Sequence, residues 1–442
     1  MHAKAGGLAI PLPATTLSPT TLFTATPRPP TLSPPMTPAV SADPIRLRDA
    51  SQKAAAGGAL TADETLLLYR GLDQPSLGLL ANDVRLRLNP PHADGRLRVT
   101  YIVDRNLNPT NVCVTDCGFC AFYRSPGDAE AYVLPREVIY QKVEELISKG
   151  GIQVLLQGGH HPRLKTAWFA ELFRDVKQRY PQVWIHGMSP PEITHLHKLE
   201  KRPVREVLQD LKAAGLDSIP GGGAEILVER VRQIIAPKKA TTSEWLEVFR
   251  QWAHLGGKGT ATMMFGHVET DAERIEHLTR IRELQAETNV FTAFIPWTFQ
   301  PENTPMGKEL LAARGGSKAT VAEYLRTLSI ARLHLQNVPH VQSSFVTQGM
   351  KTCQVGLSMG ADDFGSAMLE ENVVSSAGCA HPTSIPEIER HIKDAGFVPQ
   401  RRNMMYEPVE TPATDRFGKP LGEKKAIVSE ATAGHATAPP LG

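Results

Sequence analysis

Three cysteines within residues 108–124 are the residues of this sequence best suited to chemistry. Cys113, Cys117 and Cys120 follow the spacing C-x3-C-x2-C, and the other two of the five cysteines lie far away in the chain. Three thiolates cannot complete a tetrahedral structural zinc site, which normally takes four protein ligands. They can bind three irons of a cubane 4Fe-4S cluster and leave the fourth iron free for a ligand that is not protein. Such an open position is what a metal centre needs to act on a bound molecule.

A structural zinc knuckle is the alternative interpretation of the same cysteines. Its fourth ligand would be His160, His161 or a distant cysteine, and the chain would then be a non-catalytic zinc-binding barrel protein. The two interpretations differ in colour, because an iron–sulfur protein is brown and a zinc protein is colourless. Scarce, clustered cysteines favour a metal or catalytic role over disulfides, and they predict a protein of the reducing cytoplasm.

Glycine-rich and acidic turns follow several predicted strands. Gly158 and Gly159 allow close approach of the backbone to a ligand, with a simple tight turn as the alternative. Glu192 and Glu225 each place a carboxylate beside backbone shaped by proline or glycine. A carboxylate there can accept the two hydroxyls of a ribose or act as a general base, and capping the next helix is the alternative.

Three other side chains are candidates for proton transfer. His161 follows the paired glycines, His267 follows another predicted strand, and Glu371 lies in a loop near the end of the predicted barrel. Histidine suits proton transfer because its pKa lies near neutral pH. The alternative for each is a local hydrogen bond or plain solvation.

Short apolar strands alternate with amphipathic helices along most of the chain. Strands are predicted at 97–103, 152–156, 183–188, 217–219, 259–265, 291–295 and 341–345. At least six consecutive strand–helix units indicate a parallel sheet with its helices outside. The polar turns that recur after strands favour an α/β fold of the (βα) barrel, TIM-like type with six to eight strands over an open doubly wound sheet. In such a barrel the functional residues lie at the C-terminal ends of the strands.

Composition divides the chain into four predicted parts. Residues 1–44 are rich in proline and threonine and are predicted to be disordered, with Met36 as an alternative start of translation. A helical lead-in covers 45–95, where Thr61 and Glu64 form a capping-box pattern. The barrel and a C-terminal extension cover 96–405, and the tail 406–442 is predicted to be disordered.

Charge and hydropathy exclude two classes of partner. The net charge is +2, with 48 basic and 46 acidic residues, which gives no reason to expect a nucleic acid or an anionic membrane. No apolar run reaches the length of about 18 residues needed to span a membrane.

The cysteine spacing, with aromatic Phe119 directly before the last cysteine, resembles the radical S-adenosylmethionine enzymes. That resemblance implies two cofactors, a 4Fe-4S cluster on the three cysteines and S-adenosylmethionine on the open iron. It also implies that Phe119, Gly158, Gly159 and Glu225 line the S-adenosylmethionine site. One departure weakens the correspondence: histidines stand where the family carries an acidic residue after the paired glycines.

A wider set of motifs resembles the menaquinone-biosynthesis branch of that family, the futalosine pathway. The stretches concerned are TNVCVTDCGFCAFYR, QGGHHP, DSIPGGGAEIL, APKK, TATMMFGHVE, FIPWTFQPENTP and MLEENVVSSAG. The resemblance implies radical cyclisation of dehypoxanthinylfutalosine, in which a 5′-deoxyadenosyl radical abstracts the hydrogen at C4′ of the ribose. The carbon radical then closes on the benzoate ring, which must lose a proton to His161, His267 or Glu371.

The same resemblance leaves one close alternative and implies a redox partner. The alternative is aminofutalosine synthase, in which the adenosyl radical adds to an enolpyruvyl benzoate. The implied partners are a small-molecule substrate and a one-electron reductant such as flavodoxin or ferredoxin.

Overall fold

The computed structural model describes residues 43–410 of the 442-residue chain. The two segments predicted to be disordered, 1–44 and 406–442, lie outside the described residues except at their inner ends. Pro44 begins the first helix. Tyr406 stacks on His340, with their rings 3.6 Å apart.

Three helices precede the sheet: α1 (Pro44–Ala55), α2 (Ala62–Gly71) and α3 (Gln74–Leu88). The capping box that starts α2 is present, because the Thr61 hydroxyl accepts the Glu64 N–H and the Glu64 carboxylate accepts the Thr61 N–H. Apolar side chains of α2 and α3, such as Leu68 and Leu77, are fully buried. These helices therefore belong to the same core as the barrel that follows.

Ten strands alternate with the remaining helices. The strands are β1 (Arg98–Ile102), β2 (Asp104–Leu107), β3 (Gln153–Leu156), β4 (Trp184–Gly187), β5 (Ser218–Ile219), β6 (Lys258–Phe265), β7 (Phe291–Thr298), β8 (His340–Val341), β9 (Asp363–Ser366) and β10 (Val398–Arg401). The strands β2 to β8 form one parallel sheet in chain order, and β1 lies between β9 and β10 in a second sheet. Parallel order with a helix between most neighbouring strands is the pattern of a (βα) barrel.

The remaining helices of the described residues follow β2 along the chain. They are α4 (Arg136–Ser148), α5 (Thr166–Arg179), α6 (Pro190–Glu200), α7 (Val204–Ala213), α8 (Glu229–Ile235), α9 (Thr242–His254), α10 (Asp271–Thr288), α11 (Gly307–Ala312), α12 (Val321–His334), α13 (Phe345–Gln348), α14 (Met350–Gly356), α15 (Val373–Ser376) and α16 (Ile385–Asp394). Capping boxes start α9 at Thr241 and α10 at Thr270, where the sequence shows Thr-x-x-Glu.

The strand β9 closes the barrel. Asp363 of β9 forms a parallel bridge with Gln342, which directly follows β8. On the other side, the N–H groups of Ala367 and Leu369 donate to the carbonyls of Ile102 and Asp104 at 2.8 and 3.0 Å. The ring thus runs from β2 through β8 to β9 and back to β1 and β2, which confirms the predicted fold class.

Buried side chains reinforce this closure. The Asp363 carboxylate accepts hydrogen bonds from the Thr100 hydroxyl at 2.6 Å and from Arg402 Nε at 2.5 Å. The Ser366 hydroxyl donates to Asp104 of β2. Because Asp104, Asp363, Ser366 and Arg402 are buried, these bonds form in a low-dielectric environment where a missing partner is costly.

Candidate active site

A cavity of about 260 Å³ opens at the C-terminal ends of the barrel strands. Loops that follow β2, β3, β4, β5, β6 and β7 line it, together with residues 373, 374 and 377 beyond β9. This is the end at which (βα) barrels carry their functional residues.

All three clustered cysteines line this cavity. Cys117 is buried and Cys113 and Cys120 are half-buried, and all three are free thiols. Burial raises the pKa of the Cys117 thiol to about 12 and also raises that of Cys120. Such thiols stay protonated at neutral pH unless a metal deprotonates them, as coordination does.

The backbone of the cysteine loop is fixed on several sides. The Gly118 N–H donates to the Ile235 carbonyl and the Gly118 carbonyl accepts the Met306 N–H, both at 2.8 Å. The Cys113 N–H donates to the Arg124 carbonyl at 3.0 Å. These bonds hold the loop against the end of α8 and against the segment that follows β7. The thiols are therefore positioned before any metal is bound.

The donor set and its spacing fit an iron–sulfur cluster. Among residues 43–410, no three histidine, cysteine or acidic side chains are gathered so as to hold a metal ion. The three thiols line the same cavity. Three cysteines in this spacing suit three irons of a cubane cluster, whereas a structural zinc site normally takes four protein ligands.

The paired glycines after β3 pack directly against the cysteine loop. The Gly159 N–H donates to the Thr110 carbonyl at 2.9 Å, and the Val114 N–H donates to the His160 carbonyl at 3.1 Å. A Cβ atom at Gly159 would lie 2.2 Å from the Val112 carbonyl oxygen. A residue without a side chain is therefore needed to bring the two loops together.

Gly159→Ala is expected to separate these loops. The clash is with backbone that cannot rotate away, and overpacking of this kind costs about 1–3 kcal/mol. We expect a lower melting temperature of the iron-free protein and a reduced iron content after reconstitution.

Gly158→Ala is the matched control, because a Cβ there meets its nearest atom, the Thr110 oxygen, at 3.1 Å. Equal iron content in the Gly159 and Gly158 variants would contradict the steric argument.

A salt bridge is buried beside the thiols. Lys239 Nζ lies 2.6 Å from Glu225 Oε1, and the two side chains are 13% and 5% exposed. The Lys239 ammonium also lies 5.0 Å from the centre of the Phe119 ring. Burial opposes the charge on Lys239, but Glu225 and the nearby Cys117 outweigh it and raise the pKa of the ammonium. The cavity therefore contains a permanent cation next to the cysteine loop.

A second carboxylate, Glu192, has a different environment. Its Oε1 accepts the Gly158 N–H at 3.0 Å, and its Oε2 accepts the Ser189 N–H at 2.8 Å and the Ser189 hydroxyl at 2.6 Å. Ser189 and Glu192 both line the cavity. Burial raises the pKa of Glu192 to about 7, although these hydrogen bonds work in the opposite direction.

His160 connects the loop that follows β3 with the cysteine loop. Its Nδ1 lies 2.5 Å from the Thr115 hydroxyl, in the middle of the cysteine loop, and its ring stacks on His195 at 5.2 Å. Burial lowers the pKa of His160 well below its usual range. The imidazole is therefore neutral and serves as a fixed hydrogen-bonding group.

The opposite wall of the cavity is apolar. Trp297 and Phe299 at the end of β7, Met264 at the end of β6, and Val373 and Val374 of α15 line it. This wall suits an aromatic ring and keeps water away from the thiols.

Two side-chain contacts hold the segment around α15 over the cavity. The Asn372 amide donates to Asn108 Oδ1 at 3.1 Å, and the Asn303 amide donates to the Ser376 carbonyl at 3.1 Å. Residues beyond β9 thus form part of the cavity wall, which the sequence did not predict.

The three side chains predicted to transfer protons do not line the cavity. His161 Nδ1 accepts the N–H groups of Arg163 and Leu164. His267 is 1% exposed and its Nε2 lies 3.0 Å from the Met264 carbonyl. Glu371 accepts three backbone N–H groups at the start of α15. These contacts favour local structural roles, and catalysis by any of the three stays a prediction.

The cofactor-site residues predicted from sequence are brought together. Phe119, Gly158, Gly159 and Glu225 all line the cavity that contains the cysteines. Lys239 was not predicted as a site residue, although its stretch APKK stood among the recognised motifs. A lysine in a polar stretch looks solvated, and only the fold shows that it is buried against Glu225.

Comparison with known proteins agrees with this fold and site. Residues 107–281 match the radical SAM superfamily, and residues 288–415 match the CofH/MqnC C-terminal region. The fold is similar to that of methylornithine synthase (PylB), with a TM-score of 0.62 at 18% identity over 80% of this chain and 97% of that one. The barrel and its thiol-lined cavity thus define a radical S-adenosylmethionine enzyme, a class that uses a 4Fe-4S cluster and S-adenosylmethionine.

Sequence relatives indicate to which family of radical S-adenosylmethionine enzymes the chain belongs. The chain is 42% identical over 360 residues to a cyclic dehypoxanthine futalosine synthase of Halalkalibacterium halodurans, covering 81% of this chain and 94% of the relative. It is 44% identical to the enzyme of the same name from Streptomyces coelicolor, over 82% and 90% of the two chains. An aminodeoxyfutalosine synthase of Thermus thermophilus is 38% identical over 82% of this chain and 96% of its own length. The chain belongs to the cyclic dehypoxanthine futalosine synthase family of radical S-adenosylmethionine enzymes.

One further finding concerns membranes. Within the part of the chain that the structure describes, no helix combines the length and apolar character that crossing a bilayer requires.

Proposed function

We propose that this protein converts dehypoxanthinylfutalosine to its cyclic form by radical cyclisation, as a step of menaquinone biosynthesis. The observation that carries the proposal is the single cavity shared by three free thiols, the paired glycines and an apolar wall. The relatives with 42% and 44% identity, which bear the name of this activity, support the choice of substrate.

Each side of the cavity has a proposed role. Cys113, Cys117 and Cys120 would hold the 4Fe-4S cluster and leave a position open for S-adenosylmethionine. When bound, this pair supplies a carbon radical through one-electron reductive cleavage of S-adenosylmethionine. The reductant is a small one-electron carrier such as flavodoxin or ferredoxin.

Residues around the thiols bind and orient the S-adenosylmethionine. The turn at Gly158 and Gly159 lines the cavity beside the cysteine loop and has no side chain that would keep a ligand away from its backbone. Glu225 is the proposed acceptor for ribose hydroxyls, and its bond to Lys239 fixes the position of the carboxylate. Phe119 contributes an apolar face beside them.

The wall formed by Trp297, Phe299 and α15 protects the reaction. A carbon-centred radical takes hydrogen from C–H and S–H groups that come close to it, so the cavity must keep stray donors away from the reaction. The benzoate ring of the substrate fits an aromatic wall, because aromatic pairs gain about 0.5–1.5 kcal/mol beyond the area that they bury.

Product analysis by mass spectrometry tests the proposal. The protein, reconstituted without oxygen, is given dithionite, S-adenosylmethionine and dehypoxanthinylfutalosine. We expect free 5′-deoxyadenosine and a product lighter than the substrate by two hydrogens, because one hydrogen atom, one proton and one electron are removed. Untouched substrate with cleaved S-adenosylmethionine would contradict the proposed substrate, and turnover of an enolpyruvyl benzoate instead would identify an aminofutalosine synthase.

A further inference from the structure

The proposed cyclisation needs a group that accepts a proton. After the ring closes, the attacked aromatic carbon still carries its hydrogen, and aromaticity returns only when that hydrogen leaves as a proton. The inference below rests on the proposed function and concerns which side chain receives this proton. A proton acceptor must lie within hydrogen-bond reach of the ring, so it must line the cavity.

Among the described residues that line the cavity, three side chains besides the cluster thiols have a basic atom to consider. They are His160, Glu192 and Glu225. Lys239 lines it too, but it is protonated and has no acceptor.

Two of these three are committed elsewhere. Glu225 is bonded to Lys239 at 2.6 Å, so a cation already occupies this carboxylate. His160 is engaged by the Thr115 hydroxyl at 2.5 Å, and its burial strongly disfavours the protonated ring.

Glu192, unlike Glu225 and His160, is not engaged in a way that prevents it from taking up a proton. It forms no ion pair within the described part of the chain, and its oxygens accept bonds from neutral donors alone, the Gly158 and Ser189 N–H groups and the Ser189 hydroxyl. Burial makes its ionised form costly and raises its pKa to about 7, with Lys239 opposing the shift. A carboxylate whose pKa lies near 7 is suited to general-base catalysis at neutral pH.

Ser189 gives this carboxylate access to the cavity. The hydroxyl donates its hydrogen to Glu192 Oε2 at 2.6 Å, and its oxygen keeps one lone pair besides the one that faces the Glu192 N–H in the capping box of α6. Both residues stand at the N-terminus of α6, directly after β4, on the rim that also carries Gly158.

We propose that Ser189 and Glu192 act together as the base that restores aromaticity. The ring C–H bond breaks, its proton goes to the Ser189 oxygen, and the Ser189 proton passes to Glu192. The bonding pair stays in the ring, and the one excess electron would leave to the oxidised form of the cluster that Cys113, Cys117 and Cys120 would hold. Atoms and charge balance, because the carboxylate gains the proton and the cluster would regain the electron used to start the reaction.

Glu192→Gln is the main test. Glutamine keeps an oxygen that can accept the backbone N–H groups but cannot take up a proton. We expect 5′-deoxyadenosine formation to fall far less than cyclised product, so that product per 5′-deoxyadenosine drops at least about 100-fold, in line with general-base effects. Substrate deuterated at C4′ should still pass its label to 5′-deoxyadenosine, and an organic radical should accumulate in electron paramagnetic resonance spectra.

Further variants distinguish a role of Glu192 as a base from a role as a helix cap alone. Glu192→Asp should partly restore product, and Ser189→Ala should lower product per 5′-deoxyadenosine as well. For the unmodified enzyme, product formation should rise as the pH increases through about 7, where Glu192 loses its proton. Among the other groups that line this cavity, Lys239 and Tyr123 have raised pKa values and His160 has a strongly lowered pKa, so these three do not change charge near pH 7. Glu225 also lines the cavity, where it is paired with Lys239.

Two outcomes would overturn the inference. The first is a Glu192→Gln enzyme with the product per 5′-deoxyadenosine and the pH profile of the original. The second is a variant that no longer cleaves S-adenosylmethionine at all while its melting temperature is unchanged, which would assign Glu192 to cofactor binding. Failure of the proposed function is distinguishable, because the unmodified enzyme would then form no cyclised product.

Discussion

Replacing Cys117 with serine gives a colourless protein that does not cleave S-adenosylmethionine. Cys117 is the most buried of the three clustered thiols, at 7% exposure. A serine oxygen cannot replace a soft thiolate on iron. Loss of an outer-shell partner of a metal site already costs about 10–100-fold, so loss of a ligand should lower turnover by more than about 100-fold. The measurements are iron and sulfide content, cluster absorbance and 5′-deoxyadenosine yield.

The chain contains two matched controls for this experiment. Cys353 is buried as well, but its thiol donates to the Ser343 carbonyl at 3.0 Å and lies outside the cavity lining. Cys379 is half-buried with its thiol 3.5 Å from the Val346 carbonyl. Serine at either position should leave the protein brown and active. A Cys117→Ser protein that keeps its iron and full activity would refute the assignment of the cluster.

The features that the sequence predicted well are local ones. Three cysteines within eight positions can be recognised as ligands of one centre without knowing the fold, because their spacing limits where they can go. Capping boxes at Thr61, Thr241 and Thr270 also depend on residues only three positions apart. Alternation of apolar strands and amphipathic helices likewise repeats over short windows, and it was sufficient to predict a barrel.

The features that escaped prediction depend on contacts between distant parts of the chain. The closing strand β9 meets Gln342 on one side and Ile102 on the other, and the bridge at Asp363 has no signature in the local sequence. The part of the cavity wall that α15 forms also depends on contacts between distant parts of the chain. A single sequence shows which residues can pair in a strand but does not show which edges remain to be closed.

Side-chain direction explains why the predicted bases lie outside the cavity lining. His161, His267 and Glu371 were selected because their residue types transfer protons and because they follow predicted strands. In the structure, neighbouring backbone groups occupy their polar atoms. Turns and helix starts create unpaired N–H groups nearby, and a carboxylate or imidazole in such a turn is often used to satisfy them.

Glu192 shows that a cap and a reactive group can be the same side chain. The sequence left open whether this glutamate caps a helix or acts in chemistry, and the structure shows the cap, with Ser189, inside the cavity. Backbone N–H groups hold the Glu192 carboxylate in place, so no cation is needed beside it. Glu192 is therefore rigid and still basic, whereas Glu225 is fixed by a cation, Lys239.

Replacing Lys239 with methionine should inactivate the enzyme, while the same change at its neighbour Lys238 should not. Lys239 is buried and bonded to Glu225. Methionine keeps the length of the side chain but removes the charge, so the Glu225 carboxylate is left buried without a partner. Removing one member of a buried ion pair costs about 3–5 kcal/mol. We expect a lower melting temperature and at least about a 100-fold loss of 5′-deoxyadenosine formation, in the range reported for lost electrostatic donors at active sites.

Lys238 provides the control because it differs from Lys239 only in its surroundings. Its side chain is 60% exposed and pairs with Asp116 on the surface, where ion pairs contribute little. Lys238→Met should therefore keep the melting temperature and turnover of the original protein.

The double variant Lys239→Met with Glu225→Gln separates stability from function. It removes both charges, so the penalty for an unpaired carboxylate disappears and the melting temperature should recover. Activity should stay low, because the cation and the proposed ribose acceptor are both gone. Recovery of activity together with stability would show that the pair only supports the fold, and equal losses in the Lys238 and Lys239 variants would show that burial of Lys239 is irrelevant to the reaction.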